Sequence, residues 1–317
     1  MEDIPKQTPE FSRRRLLVLG ALGMSAIITG SLAYASNHLP TSEYPLRSSE
    51  FARQPSWNQE FKQMNATTID TSVWRYDTDY RVPTYNNEAQ AYTDWSDNVR
   101  IEQGTGLIIE AHRRDYQYPN DAEPDVTQKV YEYTSGRIDT LESFTFEYGK
   151  VEARMKLPAG RGVWPAFWLL SGNEIHSLDK ELTEVEENDP RRYTLDGEID
   201  IMEYYGNNPD EVEATVHTYD KSVEETINIP DATTEFHTYG VEVAPNSITW
   251  TIDGKPYHYF EKPSDDPAKW PFGDGNEFYI ILNLAMGGPA GPTQPGQQSW
   301  QLQVENVRFY PFTGKVN

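Results

Sequence analysis

The 317-residue chain contains no cysteine. Disulfides and thiolate metal sites are thereby excluded. It also lacks a glycine-rich nucleotide loop, a metal-protease motif and any internal repeat. Helical character is confined to one short stretch, 182–187. Basic residues are few beside acidic ones, 27 Lys+Arg against 50 Asp+Glu, giving a formal net charge of -23. A field of that sign opposes nucleic acid and anionic membranes as partners. It weakly disfavours densely sulfated polymers, is indifferent to neutral ones, and also serves solubility in a salty habitat.

What is present reads as strand. Segments 99–102 and 107–111 flank Gln103-Gly104-Thr105-Gly106 as a hairpin, and Asp253-Gly254 turns a second one. Short alternating runs recur at 144–146, 151–157, 212–219, 239–243, 248–252, 257–260, 278–284 and 302–310. Many short strands with turn signals between them predict an all-β, two-sheet sandwich. Aromatic residues make up 13% of the chain. Such rings serve either to stack on sugars or to fill a large β-core.

The densest chemistry lies in Gly197-Glu198-Ile199-Asp200-Ile201-Met202-Glu203-Tyr204-Tyr205-Gly206. The β-branched and aromatic residues around the carboxylates favour a strand. Side chains of a strand alternate faces, so Glu198 and Asp200 share one and Glu203 falls a residue out of step. A β-bulge near Met202 restores the step, bringing three carboxylates to one surface and leaving Ile199 and Ile201 on the other. The layout suits glycoside cleavage with retention of configuration: one carboxylate attacks the anomeric carbon, and a second, its pKa raised by its neighbours, exchanges the proton. On these residues alone, a solvated acidic face or a calcium patch stands as the alternative.

Glu198-Ile199-Asp200-Ile201-Met202-Glu203 resembles the bulged catalytic signature of glycoside hydrolase family 16. The likeness continues, in order, through Tyr133-Thr134-Ser135-Gly136-Arg137-Ile138, Tyr148-Gly149-Lys150-Val151-Glu152-Ala153-Arg154 and Gly162-Val163-Trp164-Pro165-Ala166-Phe167-Trp168-Leu169-Leu170. Downstream it takes in Ala214-Thr215-Val216-His217-Thr218, Phe236-His237-Thr238-Tyr239 and Leu282-Asn283-Leu284-Ala285-Met286-Gly287-Gly288. The resemblance implies a β-jelly roll whose concave sheet forms a glycan cleft. By the same likeness, Glu198 is the nucleophile, Glu203 the general acid/base and Asp200 the residue that orients Glu198.

Trp164 and Trp168, four apart on one strand face, would support sugars beside the cleavage point, core packing being the other reading. His217 would bond Glu203 or a sugar hydroxyl. Asn86, in Tyr85-Asn86-Asn87-Glu88-Ala89-Gln90-Ala91-Tyr92, would border the non-reducing end of the cleft; the same stretch reads equally as an Asn-rich turn. Asn283 completes the expected sugar contacts. The family requires no cofactor, although some members hold a structural calcium, for which Glu60 and Glu305 would be the ligands here, with Glu305 standing where many relatives have Asp.

The laminarinase-like branch implies endo-cleavage of β-1,3-glucan. Mixed-linkage glucan, a galactan such as agar, and transglycosylation are the alternative chemistries. A non-catalytic glucan-binding role is disfavoured because such relatives lose the catalytic glutamates. One departure bears on substrate: Tyr193-Thr194-Leu195-Asp196 stands where many relatives carry Trp-Pro.

At the amino end, Ser12-Arg13-Arg14-Arg15-Leu16-Leu17 precedes an uncharged run ending in Ala33-Tyr34-Ala35. Residues 1–35 thus read as a twin-arginine export signal of a bacterium, with a retained membrane anchor as the alternative. Residues 36–55 read as a linker and 56–317 as the catalytic domain. The expected partner is a polysaccharide and the expected mature protein a monomer, free of stable membrane association and either periplasmic or extracellular. An acidic insert at 173–193 would lie beside the cleft.

Overall fold

The computed structural model describes residues 44–45, 47–78, 85–119, 129–172 and 196–315. The export signal, the insert at 173–193 and the helical stretch at 182–187 lie outside them. The described residues form two sheets. The first is ordered Ser222–Asn228 (β13), Glu211–His217 (β12), Glu198–Glu203 (β11), Val163–Ser171 (β10), Phe278–Met286 (β17), Arg137–Asp139 (β7) and Arg75–Tyr76 (β2), with Thr145–Phe146 (β8) also paired to β17. The second is ordered Lys255–Glu261 (β16), Ser247–Ile252 (β15), His237–Ala244 (β14), Gly149–Lys156 (β9), Ser299–Pro311 (β18), Gly106–Tyr116 (β5), Tyr131–Ser135 (β6) and Gln90–Tyr92 (β3). Trp57–Gln59 (β1) joins β18, and Val99–Glu102 (β4) joins β5. The expected two-sheet sandwich holds.

Alternation builds the core. Along β10, Val163, Phe167 and Leu169 point between the sheets; along β17, Phe278, Ile280, Leu282, Leu284 and Met286 do the same. Their neighbours Trp164, Ala166, Trp168, Ile281 and Asn283 therefore face the opposite side, the open face of the first sheet. Trp250 of β15 is fully buried and donates its indole N–H to the Asp200 carbonyl at 2.8 Å. That bond ties the second sheet to the middle of β11.

The bulge lies where the carboxylate spacing requires it. Asp200 pairs with Thr215 and Glu203 with Glu213, so three steps on β11 match two on β12. Ile201 and Met202 both enter the core, and Glu203 returns to the face of Glu198 and Asp200. The run 133–138 is not one strand. It breaks at Gly136, where an added Cβ would meet Val99 Cγ2 at 2.3 Å, and β6 and β7 belong to different sheets.

The expected linker is corrected over its described part. The Arg47 amide donates to Glu242, Ala52 N to Pro311 O, and Phe51 is buried with its ring 5.5 Å from that of Phe312. An aromatic residue with a receptive sheet edge ends the linker early. Strand β13 goes beyond the strands expected, since its mostly polar, exposed residues carry no alternating apolar signal.

Candidate active site

Strand β11 supplies the centre. Glu198, Asp200 and Glu203 share the open face with Trp164, Trp168 and His217, which the neighbouring strands β10 and β12 deliver. The indole of Trp164 donates to Glu203 Oε1 at 2.8 Å, and the Tyr205 hydroxyl donates to the same oxygen at 3.2 Å. His217 Nε2 lies 3.0 Å from Asp200 Oδ2, while its Nδ1 meets Ser222 Oγ at 2.7 Å. His217 thus partners Asp200 and not Glu203, because the register sets it opposite Glu198 at the far end of the strand.

Burial acts on all three carboxyls, and proximity adds to it. Glu203 is pushed up to about 8 by burial and then by Asp200. Asp200 is raised to about 7 by burial, with Glu213 adding and the bond to Glu198 opposing. Glu198 is held well above the usual carboxylate range by burial and by Asp200, with His217 opposing. Three such groups cannot all ionise at neutral pH, so they share protons as one unit. Glu198, Asp200 and His217 also bring three donor atoms within 4.8 Å of one another. Three donors, one of them a histidine already turned to Asp200, fall short of the six to eight oxygens calcium takes.

A second tier stands behind Trp168. Its indole donates to Asn283 Oδ1 at 2.8 Å, and Asn283 Nδ2 donates to the Tyr92 hydroxyl at 3.1 Å. Tyr92 in turn reaches Glu88, which Gln90 also holds. The Arg137 guanidinium lies 4.9 Å from the Trp168 ring and is paired with Asp77. Asn283 is thus buried as the support of Trp168. Asn86 is exposed, in a turn where it and Asn87 both take φ 57, a conformation asparagine tolerates. Asn86 belongs to the rim: a Cβ on Gly288 would sit 2.8 Å from its carbonyl and 3.3 Å from the Trp164 ring.

The expected calcium pair does not fit an ion. Glu60 is forked by Arg308, with Nε to Oε1 at 2.7 Å and Nη2 to Oε2 at 3.0 Å. Glu305 is held by Arg154 at 2.9 Å and by Lys62. Both carboxylates are already neutralised by cations.

The site residues not foreseen are Glu88, Tyr92, Arg137, Tyr205 and Glu213. Arginine in the middle of a buried strand was the available signal for Arg137, and adjacency to the carboxylate run was the signal for Tyr205.

A carboxylate triad on a bulged strand, with tryptophans on the adjoining one, matches a known family. The glycosyl hydrolases family 16 model aligns with residues 87–302. The chain belongs to this family. It is 34% identical to a β-glucanase of Rhodothermus marinus over 80% of this chain and 84% of that protein. It is 31% identical to glucan endo-1,3-β-glucosidase A1 of Niallia circulans, again over 80% of this chain but 37% of that longer protein. The laminarinase structure from Rhodothermus marinus superposes with a TM-score of 0.68 at 33% identity, covering 83% of this chain and 99% of that one. This family 16 protein is accordingly a glycoside hydrolase with a jelly-roll fold.

Proposed function

We propose that this family 16 enzyme is an exported endo-β-1,3-glucanase that cleaves laminarin-like chains with retention of configuration. The observation that carries this reading is the bulge, which turns Glu203 onto the face of Glu198 and Asp200. The activities of its relatives, β-glucanase and glucan endo-1,3-β-glucosidase, support the polymer class. In the first step Glu198 attacks C1 of the sugar while Glu203 gives its proton to the departing glycosidic oxygen, leaving a glycosyl ester on Glu198. In the second, Glu203 as carboxylate takes a proton from water, the water oxygen bonds to C1, and Glu198 leaves.

Trp164 and Tyr205 both donate to Oε1 of Glu203, so Oε2 is the oxygen that carries the transferred proton. Asp200, bonded to Glu198, takes up the proton that Glu198 must shed before attack and becomes neutral, leaving the negative charge on Glu198; His217 Nε2 stands 3.0 Å from Asp200 Oδ2. Glu213 stands opposite Glu203, its pKa raised by burial and then by Glu224. That acidic floor disfavours a sulfated chain and leaves a neutral glucan. Export follows from the paired arginines at 13–15 ahead of an uncharged run.

The test is release of reducing ends from laminarin, curdlan, mixed-linkage glucan, agarose and carrageenan, with Glu198→Ala as control. Laminarin cleavage that vanishes in a folded variant, and returns as an α-glycosyl azide when azide is supplied, is expected. Activity on agarose alone would overturn the substrate, and substantial activity left in Glu198→Ala would overturn the nucleophile. Replacing Arg13 and Arg14 by lysine should retain the protein in the cytoplasm.

A further inference from the structure

Strands β11 and β12 set two carboxylates directly across from each other, Glu203 pairing with Glu213. Side chains opposite in an antiparallel pair have Cβ atoms about 4.5–5.5 Å apart, and like charges placed there are destabilising. The burial pattern of β12 puts both on one surface. Val212, Ala214 and Val216 enter the core, so Glu211, Glu213, Thr215 and His217 take the open face. On β13, Glu224 lies opposite Thr215 and thus diagonal to Glu213. Val223 and Ile227 pack against the core, which leaves Glu224 on the open face as well.

Burial is graded along this line. Glu224 is exposed, Glu213 half-buried and Glu203 buried. Of two interacting carboxyls, the one nearer water ionises first, and its charge then opposes ionisation of the other. Glu213 is therefore the anion, and Glu203 the group that keeps a proton. Burial and then Glu224 raise Glu213, with His217 opposing. Glu213 in turn adds to the upward push on Glu203, behind burial and Asp200.

The other groups around Glu203 do not cancel this charge. Strand β11 itself adds the acids Glu198 and Asp200, and β10 presents the uncharged Trp164. Tyr205 approaches as a neutral donor. From the second sheet, uncharged Trp250 reaches the Asp200 carbonyl. His217 is turned to Asp200 and Ser222, and Lys221, just before β13, lies over the Phe260 ring at 5.6 Å.

We propose that Glu213 is a positioning residue for the proton of Glu203. Its charge, one strand away, holds that proton on the acid at and above neutral pH, so that cleavage continues on the alkaline side. It acts through Glu203 and needs no contact with the sugar. The proposal rests on the reading of Glu203 as the proton donor.

The pH profile of kcat/KM on laminarin tests this, because its basic limb reports the acid of the free enzyme. Without the anion Glu203 ionises more readily, so Glu213→Gln should move the limb down by about half a pH unit. Glu213→Asp keeps the charge and should restore most of the wild-type position. Glu224→Gln removes an exposed charge further from Glu203 and should move the limb by less than about 0.2 unit. Molar salt should lower the wild-type limb and leave that of Glu213→Gln nearly in place, since a half-exposed charge is screened and buried pairs are screened much less. A limb that stays or rises in folded Glu213→Gln overturns the proposal, even where KM changes. So does an equal shift in Glu213→Asp or in Glu224→Gln. Should Glu213→Gln not fold, a wild-type limb unmoved by salt overturns it. With a dinitrophenyl β-glucoside of laminaribiose, whose leaving group needs no proton, the wild-type basic limb should disappear. A limb that persists there overturns Glu203 as the donor, a result separate from any shift caused by Glu213.

Discussion

Trp164 and Glu203 come from neighbouring strands and meet at 2.8 Å, Nε1 donating to Oε1. The bond favours the ionised carboxylate, against burial and Asp200, which favour the protonated one. In the proposed double displacement Glu203 holds a proton in the first half of the cycle and loses it in the second, a task that the opposing influences bracket.

Removing the donor should therefore shift Glu203 further upward. In Trp164→Phe the basic limb of kcat/KM against pH should move up by about 1–2 units, the equivalent of one hydrogen bond to a charged group. Tyr205→Phe, which loses the longer contact, should move it the same way by less. The amplitude should fall as well in Trp164→Phe if the ring also supports a sugar as proposed; the position of the limb isolates the effect on Glu203. A limb that stays or moves down would show that Trp164 does not govern the acid.

The same raised pKa makes stability depend on pH. In the unfolded chain Glu203 titrates near about 4.3, and in the folded chain near about 8. Between those values the folded chain keeps a proton that the unfolded chain has lost. Stability due to this group is fully present below the window, falls as pH rises through it, and is flat above. Glu203→Gln is neutral throughout and escapes the loss. Its advantage over wild type in thermal melts should grow from pH 4.5 to 8, to on the order of 2–4 kcal/mol. Parallel curves across that range would refute the shift.

Much of this site is legible in one dimension. Carboxylates spaced by two and then by three predict both the strand and its bulge, and tryptophans four apart predict a shared face. Contacts across strands are not legible in that way. Nothing local to Asn283 announces that it holds Trp168, or that Tyr92 holds Asn283 in turn. His217 approaches Asp200 because of register, which depends on where the bulge falls. The break at Gly136 depends on Val99, 37 positions upstream by number and adjacent only in space. Strand β13, at the edge of its sheet, lacks the buried face from which a strand is read.

Calcium gives a direct outcome. With Glu60 forked by Arg308, and Glu305 held by Arg154 and Lys62, an ion at that pair would have to displace three cations. Melting temperatures in millimolar calcium and in excess chelator should agree within about 1 °C, since a ligand that does not bind the folded state cannot stabilise it. A clear calcium-dependent rise that Glu60→Gln abolishes would reverse this conclusion.

The pair Arg137 and Asp77 links stability to the cleft. Both side chains are buried and meet at 2.8 Å, and the guanidinium underlies Trp168. Arg137→Met alone strands a buried carboxylate and should cost about 3–5 kcal/mol. Asp77→Leu alone strands the guanidinium and should cost a similar amount. The double variant replaces both charges with apolar groups, so most of the stability should return. Substrate binding should not return with it, because Trp168 has lost the cation beneath its ring. A double variant with recovered melting temperature and a KM still raised several-fold would separate the two roles of Arg137. Recovery of both would confine Arg137 to folding, leaving Asn283 to hold Trp168 by itself.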